Sequence, residues 1–247
     1  MGLAADTSLG AQGVAVRSRV HTRFYVALSA FMVGIVVVGF WPSYFGPMVR
    51  GNIERPSIIQ IHGLVFVGWM TLLMAQVALA ARGRIQLHRK VGRYGVAYGW
   101  LVIALGLVVG PAASVIHVRA GEWTRDRGAG FLLITFGDMV LFGAFFAAAV
   151  AYRYRPEIHK RLMIAATVAL LFAAVGRMAF ISALPLAALV WLSPLLVGMV
   201  HDKVTLGRVH PAYIIATVGL FIGGMRTLFE QSEVWLRIAR PLLDALL

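Results

Sequence analysis

The residues from Leu162 to His201 read LMIAATVALLFAAVGRMAFISALPLAALVWLSPLLVGMVH and carry one full charge, Arg177. How this stretch divides decides the fold. A helix that crosses a bilayer needs about 20 predominantly apolar residues, and this run is roughly twice that. Pro185 and Pro194 interrupt it. Proline removes a backbone donor and disfavours an uninterrupted helix, so a break near Ser182–Leu184 is expected, giving two spans.

Working outward, five further apolar windows cover 24–49, 56–81, 94–118, 128–152 and 209–225. The second opens with Pro56, whose fixed φ suits a first helical turn. Composition agrees. Of 247 residues, 60% are hydrophobic and 13% charged, too few polar side chains to coat a soluble domain of that size. The predicted fold class is all-α: a polytopic transmembrane helical bundle of about seven spans.

The net charge is +13. In a soluble protein that would suggest nucleic acid. Here the basic residues sit in short clusters between apolar windows, where they meet anionic phospholipid headgroups and set orientation, so no nucleic-acid partner is expected. Counting Lys and Arg in alternate connections gives 14 on the side of the N-terminus and 8 opposite. The positive-inside rule then puts the N-terminus in the cytoplasm, within a bacterial cytoplasmic (inner) membrane. Residues 1–23 are polar and basic, without the apolar core of a secretory signal. They are expected to form a cytoplasmic tail before a seven-helix domain at 24–229. Beyond it, 230–247 carries an apolar stripe of Trp235, Ile238, Leu242 and Leu246, with Glu233, Arg237, Arg240 and Asp244 elsewhere. That pattern suits an amphipathic interfacial helix, which Pro241 should kink or restart.

Gly95, Gly99, Gly106 and Gly110 recur at four, seven and four and share one face of the third span. Small residues let transmembrane helices approach closely, so this helix is expected to be central. No cysteine is present, which removes disulfides, thiolate metal sites and thiol nucleophiles.

Two sets of polar residues carry the candidate chemistry. On the side of the N-terminus, His21, His88, His159 and His210 each stand beside Arg or Lys at the start of a span, with His201 and Asp202 at similar depth. They read as interfacial anchors, with helix N-termini and basic neighbours making phosphate sites. They also read as imidazoles that converge on a metal or haem iron, although no single helix has metal-ligand spacing. Within the spans, Asp138 is the one buried acid and Arg177 the cation expected to pair with it, since lone charges in hydrocarbon are costly. His62, Trp69 and Gln76 are seven apart on the second span, and Thr135 lies a turn from Asp138. Together these predict a polar pocket towards the outer leaflet. It would be either a packing device or a site for a small ligand, a quinone or protons. His117 is expected in solvent. The chain lacks GxxxxGK[ST] and GxSxG, and all three lysines (Lys90, Lys160, Lys203) lie in connections, which argues against nucleotide hydrolysis, serine-hydrolase chemistry and retinal binding.

The run His62, Trp69, Gln76 and Leu87-His88-Arg89-Lys90-Val91-Gly92 resembles the H…W…Q…LHR(R/K)LG signature of a family of uncharacterised bacterial multi-pass membrane proteins. The resemblance continues through Asp138, the HKRLM sequence at 159–163, Arg177 and the GRVHP sequence at 207–211, with Val91 where leucine is expected. It implies that these are shared polar positions and names no activity. Three functions stay open. One is redox-associated binding of haem b or a quinone by His62, Trp69, Gln76, Asp138, Arg177, His88, His159 and His210. Another is a non-enzymatic small-molecule or proton carrier, or a lipid-binding scaffold with a partner subunit or homo-oligomer. The third is a metal-dependent intramembrane hydrolase.

Overall fold

The computed structural model describes residues 23–52, 54–178, 180–181 and 183–247. Seven helices are long and apolar enough to cross a membrane: α1 (Arg23–Val49), α2 (Ser57–Ala81), α3 (Ile85–Arg119), α4 (Arg125–Ala151), α5 (Pro156–Val175), α6 (Leu184–Leu206) and α7 (Pro211–Leu228). An eighth, α8 (Glu233–Asp244), follows. No strand occurs among the described residues. The chain is a multi-pass membrane protein. Because successive spans run in opposite directions, two faces arise. The N-terminal face carries the start of α1 and the α2–α3, α4–α5 and α6–α7 connections, and the C-terminal face carries the rest.

The long apolar run does divide in two. Helix α6 starts at Leu184, with Pro185 in its first turn, and passes through a buried Pro194. Helix α5 stops at Val175, earlier than the prolines suggest. Helix α3 begins at Ile85, so the basic cluster at 88–93 is helical. At 35 residues it measures about 52 Å, well beyond a hydrocarbon core of about 30 Å.

The central helix is α5, not the glycine-bearing α3. Two thirds of the most apolar stretch of α5 is buried (67%), against 33% or less in the other six. Its alanines explain this: Ala165, Ala166, Ala169 and Ala174 are wholly buried, so neighbouring helices close in on it. The α3 glycines serve a flank instead. Gly99, Gly106 and Gly110 face Phe146, Met139 and Thr135 of α4, and Gly95 turns to Leu72 of α2.

Helix α1 closes tightly on α5 at Gly39, where a Cβ would overlap the Ala174 main chain. Main chain cannot swing aside as a side chain can. Gly39→Ala should therefore force the helices apart and cost about 1–3 kcal/mol. Gly34, five residues earlier on the open side of α1, would bring a Cβ within 4 Å of nothing among the described residues. Gly34→Ala should be neutral or stabilising by about 0.5–1 kcal/mol. Melting curves of the two variants in one detergent check the contrast, and equal midpoints would refute this α1–α5 packing.

Helix α8 lies on α4. Leu236, Ala239 and Leu243 are buried with Ala129 and Leu132. The Trp235 indole donates to the Ala129 carbonyl (3.0 Å). Arg240 grips Asp126 with two bonds (2.7 and 3.0 Å), which holds its guanidinium further in the charged form. Of the expected stripe, Ile238, Leu242 and Leu246 remain exposed, and the helix docks through the neighbouring face. Pro241 sits inside the helix, which runs on to Asp244.

Candidate functional site

On the N-terminal face the histidines separate into two groups. The first joins α3 and α5. His159 Nδ1 lies 2.8 Å from the Ala149 carbonyl. A carbonyl only accepts, so Nδ1 carries the proton and Nε2 keeps a lone pair. His88 stands with its ring centroid 6.4 Å from that of His159, edge to face.

Gln76, at the end of α2, sets the state of His88. Oriented to satisfy both ends, its amide oxygen accepts from the Gly92 N–H (2.9 Å). Its nitrogen donates to the His88 carbonyl (3.2 Å) and to His88 Nδ1 (2.7 Å). The Gln76 main-chain carbonyl also lies 3.2 Å from Nδ1, a contact that would need the proton there. The amide is fixed at both ends and its contact is the shorter, so Nδ1 accepts and Nε2 bears the proton. The two rings thus offer opposite polarity: a donor on His88 and an acceptor on His159. Both are half-buried, and among the described residues neither Nε2 has a hydrogen-bond partner.

The second group surrounds Arg161. Its guanidinium is fully buried and binds both Asp202 oxygens (2.9 and 2.6 Å), with Glu157 accepting through its main chain (2.6 Å) and its carboxylate (2.7 Å). Asp202 also accepts from the His210 N–H (3.2 Å). His210 Nδ1 in turn accepts from the Ala212 N–H (3.1 Å), capping α7. His201 stacks on Phe24 at 3.6 Å, with Nδ1 4.0 Å from Asp202. The Arg161 guanidinium lies over the Tyr213 ring (5.4 Å), and the Lys160 ammonium lies over the Tyr25 ring (4.9 Å). These hydrogen bonds tie α5, α6 and α7 together, and the Phe24–His201 stack adds α1. Of the predicted ring, His88 and His159 meet, while His210 belongs to this structural group. His21 lies outside the described residues. Among the described residues, no three His, Cys, Asp or Glu side chains are placed to hold a metal ion.

Towards the C-terminal face, the predicted pocket is not assembled as one. His62 and Gln76 share a face of α2, but 14 residues separate them by about 21 Å, so they sit at opposite ends. Trp69 lies between them in the core. Its indole donates to Thr167 (3.3 Å), and its ring meets Phe142 and Phe146 edge-on. The Thr135 hydroxyl bonds back to the carbonyls of Phe131 (3.2 Å) and Leu132 (3.3 Å).

Asp138 pairs with Arg226, not with Arg177. Arg226 sits in the 3₁₀ turn that ends α7, and its side chain crosses Gly137, where any Cβ would collide with it. It also donates to the Gly223 carbonyl (2.7 Å) and lies over Phe172. Arg177, in the turn after α5, donates to the Ala173 carbonyl (2.7 Å) and lies over Phe40 (4.7 Å). It stays within Coulombic reach of both Asp138 and His62. His117 is not free in solvent: it contacts Glu122 (2.5 Å) and stacks on Trp123.

Arg226 had a signal that was missed, because it falls one residue beyond the window 209–225. Counted from the N-terminal face, Asp138 lies about 20 Å in, Arg226 about 22 Å and Arg177 about 32 Å. Depth measured from that side selects Arg226. No family model, curated protein or solved structure matches the chain.

Proposed function

We propose that this protein binds a quinone or quinol headgroup at His88 and His159 and serves a redox-associated role in the membrane. The observation that carries the reading is the opposed polarity of the two imidazoles on α3 and α5. A quinone oxygen needs a donor, and a quinol hydroxyl needs an acceptor. His88 Nε2–H supplies the first and His159 Nε2 the second. Gln76 maintains the asymmetry, which accounts for a His, a Gln and a second His from three helices meeting at headgroup depth. The surplus of Lys and Arg on this face supports a cytoplasmic placement, in keeping with a bacterial inner-membrane protein.

Haem b is the second reading. The bond from His159 Nδ1–H to the Ala149 carbonyl is the posture of an iron-ligating imidazole. His88 would need the opposite tautomer, its Nδ1 proton directed at the Gln76 main-chain carbonyl.

Lipid extraction and a visible spectrum of the detergent-purified protein, before and after dithionite, distinguish these readings. Quinone retained near one equivalent by wild type, and at least tenfold less by His88→Leu and His159→Leu, is the expected result. A Soret band that shifts on reduction would replace quinone with haem. Neither ligand in well-folded protein from quinone-replete, haem-replete cells would hand the case to a carrier or lipid scaffold.

A further inference from the structure

The C-terminal face holds a second group that the histidine pair does not use. Among the described residues, Arg177 has no carboxylate within ion-pair distance, because Asp138 is committed to Arg226. Arg226 is paired with Asp138 and has Glu230 within Coulombic reach, which leaves Arg177 as a cation without an ion pair just beyond the C-terminal end of α5. A guanidinium so placed is open to an anionic partner.

The surroundings of Arg177 supply more than charge. It lies over Phe40 of α1. One turn on, Tyr44 of α1 carries a second guanidinium, Arg55, over its ring at 5.1 Å. The Tyr44 hydroxyl end packs on Gly63, next to His62. Among the described residues, His62 Nδ1 is buried with no hydrogen-bond partner, and its ring feels the charge of Arg177. Between Phe40 and Tyr44 the helix widens into a π-turn at Trp41–Phe45, closed by a bond from the Gly46 N–H to the Trp41 carbonyl. Pro42, which has no N–H to give, lies within it. Such turns recur at functional sites.

We propose that Arg177, Arg55 and His62, arranged around the π-turn of α1, bind a phosphate group at the C-terminal face. Arginine suits phosphate because its planar fork makes two parallel bonds, and His62 adds a donor when its ring proton lies on Nδ1. The phosphate belongs either to the headgroup of an anionic phospholipid or to a free phosphate ion. The proposal is independent of the reading of His88 and His159.

Nanodiscs of phosphatidylcholine with 20% phosphatidylglycerol, followed by detergent extraction and native mass spectrometry, provide the test. Wild-type protein is expected to retain one phosphatidylglycerol. Arg177→Gln should lose it, and Arg89→Gln, which removes a cation from the other face, should keep it. Arg177→Lys, which keeps the charge and loses the fork, should retain several-fold less than wild type and covers the case in which Arg177→Gln does not fold. If wild type retains no lipid but millimolar inorganic phosphate raises its melting midpoint, and Arg177→Lys loses that rise, the ligand is the free ion. Retention by Arg177→Gln or Arg177→Lys equal to wild type, or no response of wild type to either probe, overturns the proposal.

Discussion

Asp202→Asn is expected to lower stability in detergent by about 3–5 kcal/mol, because it strips a buried guanidinium of its main counter-charge. Arg161 and Asp202 are both completely buried, on adjacent helices α5 and α6, and meet through two parallel bonds. Asparagine keeps the shape and one acceptor, but it removes the charge that offsets desolvation of Arg161. Glu157 stays as a partner, yet its side chain is half-exposed and cannot replace a bidentate contact. The loss also reaches the α6–α7 connection, since Asp202 accepts from the His210 N–H. The double change Arg161→Met with Asp202→Leu should recover most of the loss. Well-packed apolar residues of similar volume often replace a buried ion pair at little cost, whereas breaking the pair strands a charge. Equilibrium unfolding in mixed micelles reads both variants. A wild-type midpoint for Asp202→Asn would mean that this pair contributes nothing to the fold.

The helices were legible in the sequence because bilayer thickness fixes how many apolar residues a span needs. The windows 56–81 and 128–152 fall within a few residues of α2 and α4. Boundaries failed where helices outrun the bilayer. Charged residues at 85–93 are helical, yet no hydropathy window includes them. Arg161 shows a different failure. Beside His159 and Lys160 it reads as one more headgroup cation, and only helix rotation turns it inward while Lys160 faces Tyr25. Gln76 was legible as a polar residue on a transmembrane face, but its bridge to His88 and Gly92 depends on the geometry of a turn between helices. The face on which α8 docks was hidden because Leu236 and Leu243 sit beside an equally apolar stripe. Packing selects between two such faces, and composition does not.

The identity of the partner of Asp138 is the sharpest of these differences, and it has a measurable consequence. Asp138→Asn should strand Arg226 in the interior of the bundle, at a cost of about 3–5 kcal/mol and with a matching loss of folded yield. Arg226→Met should cost less. Asp138 then still has Arg177 within Coulombic reach. Arg226 in turn has Glu230 within Coulombic reach, so the two differ in chemistry instead: a stranded carboxylate can take up a proton and become neutral, and a guanidinium cannot lose one. The same reasoning orders the charge exchanges. Asp138→Arg with Arg226→Asp places opposite charges on the two side chains now in contact and should restore much of the lost stability. Asp138→Arg with Arg177→Asp should not, because the guanidinium introduced on α4 would face that of Arg226 across the path that now holds the pair. Expression yield and melting midpoint of the two double variants decide the matter. Recovery by the Arg177 exchange alone would make Arg177 the true partner and remove the unpaired cation on which a phosphate site at the π-turn depends.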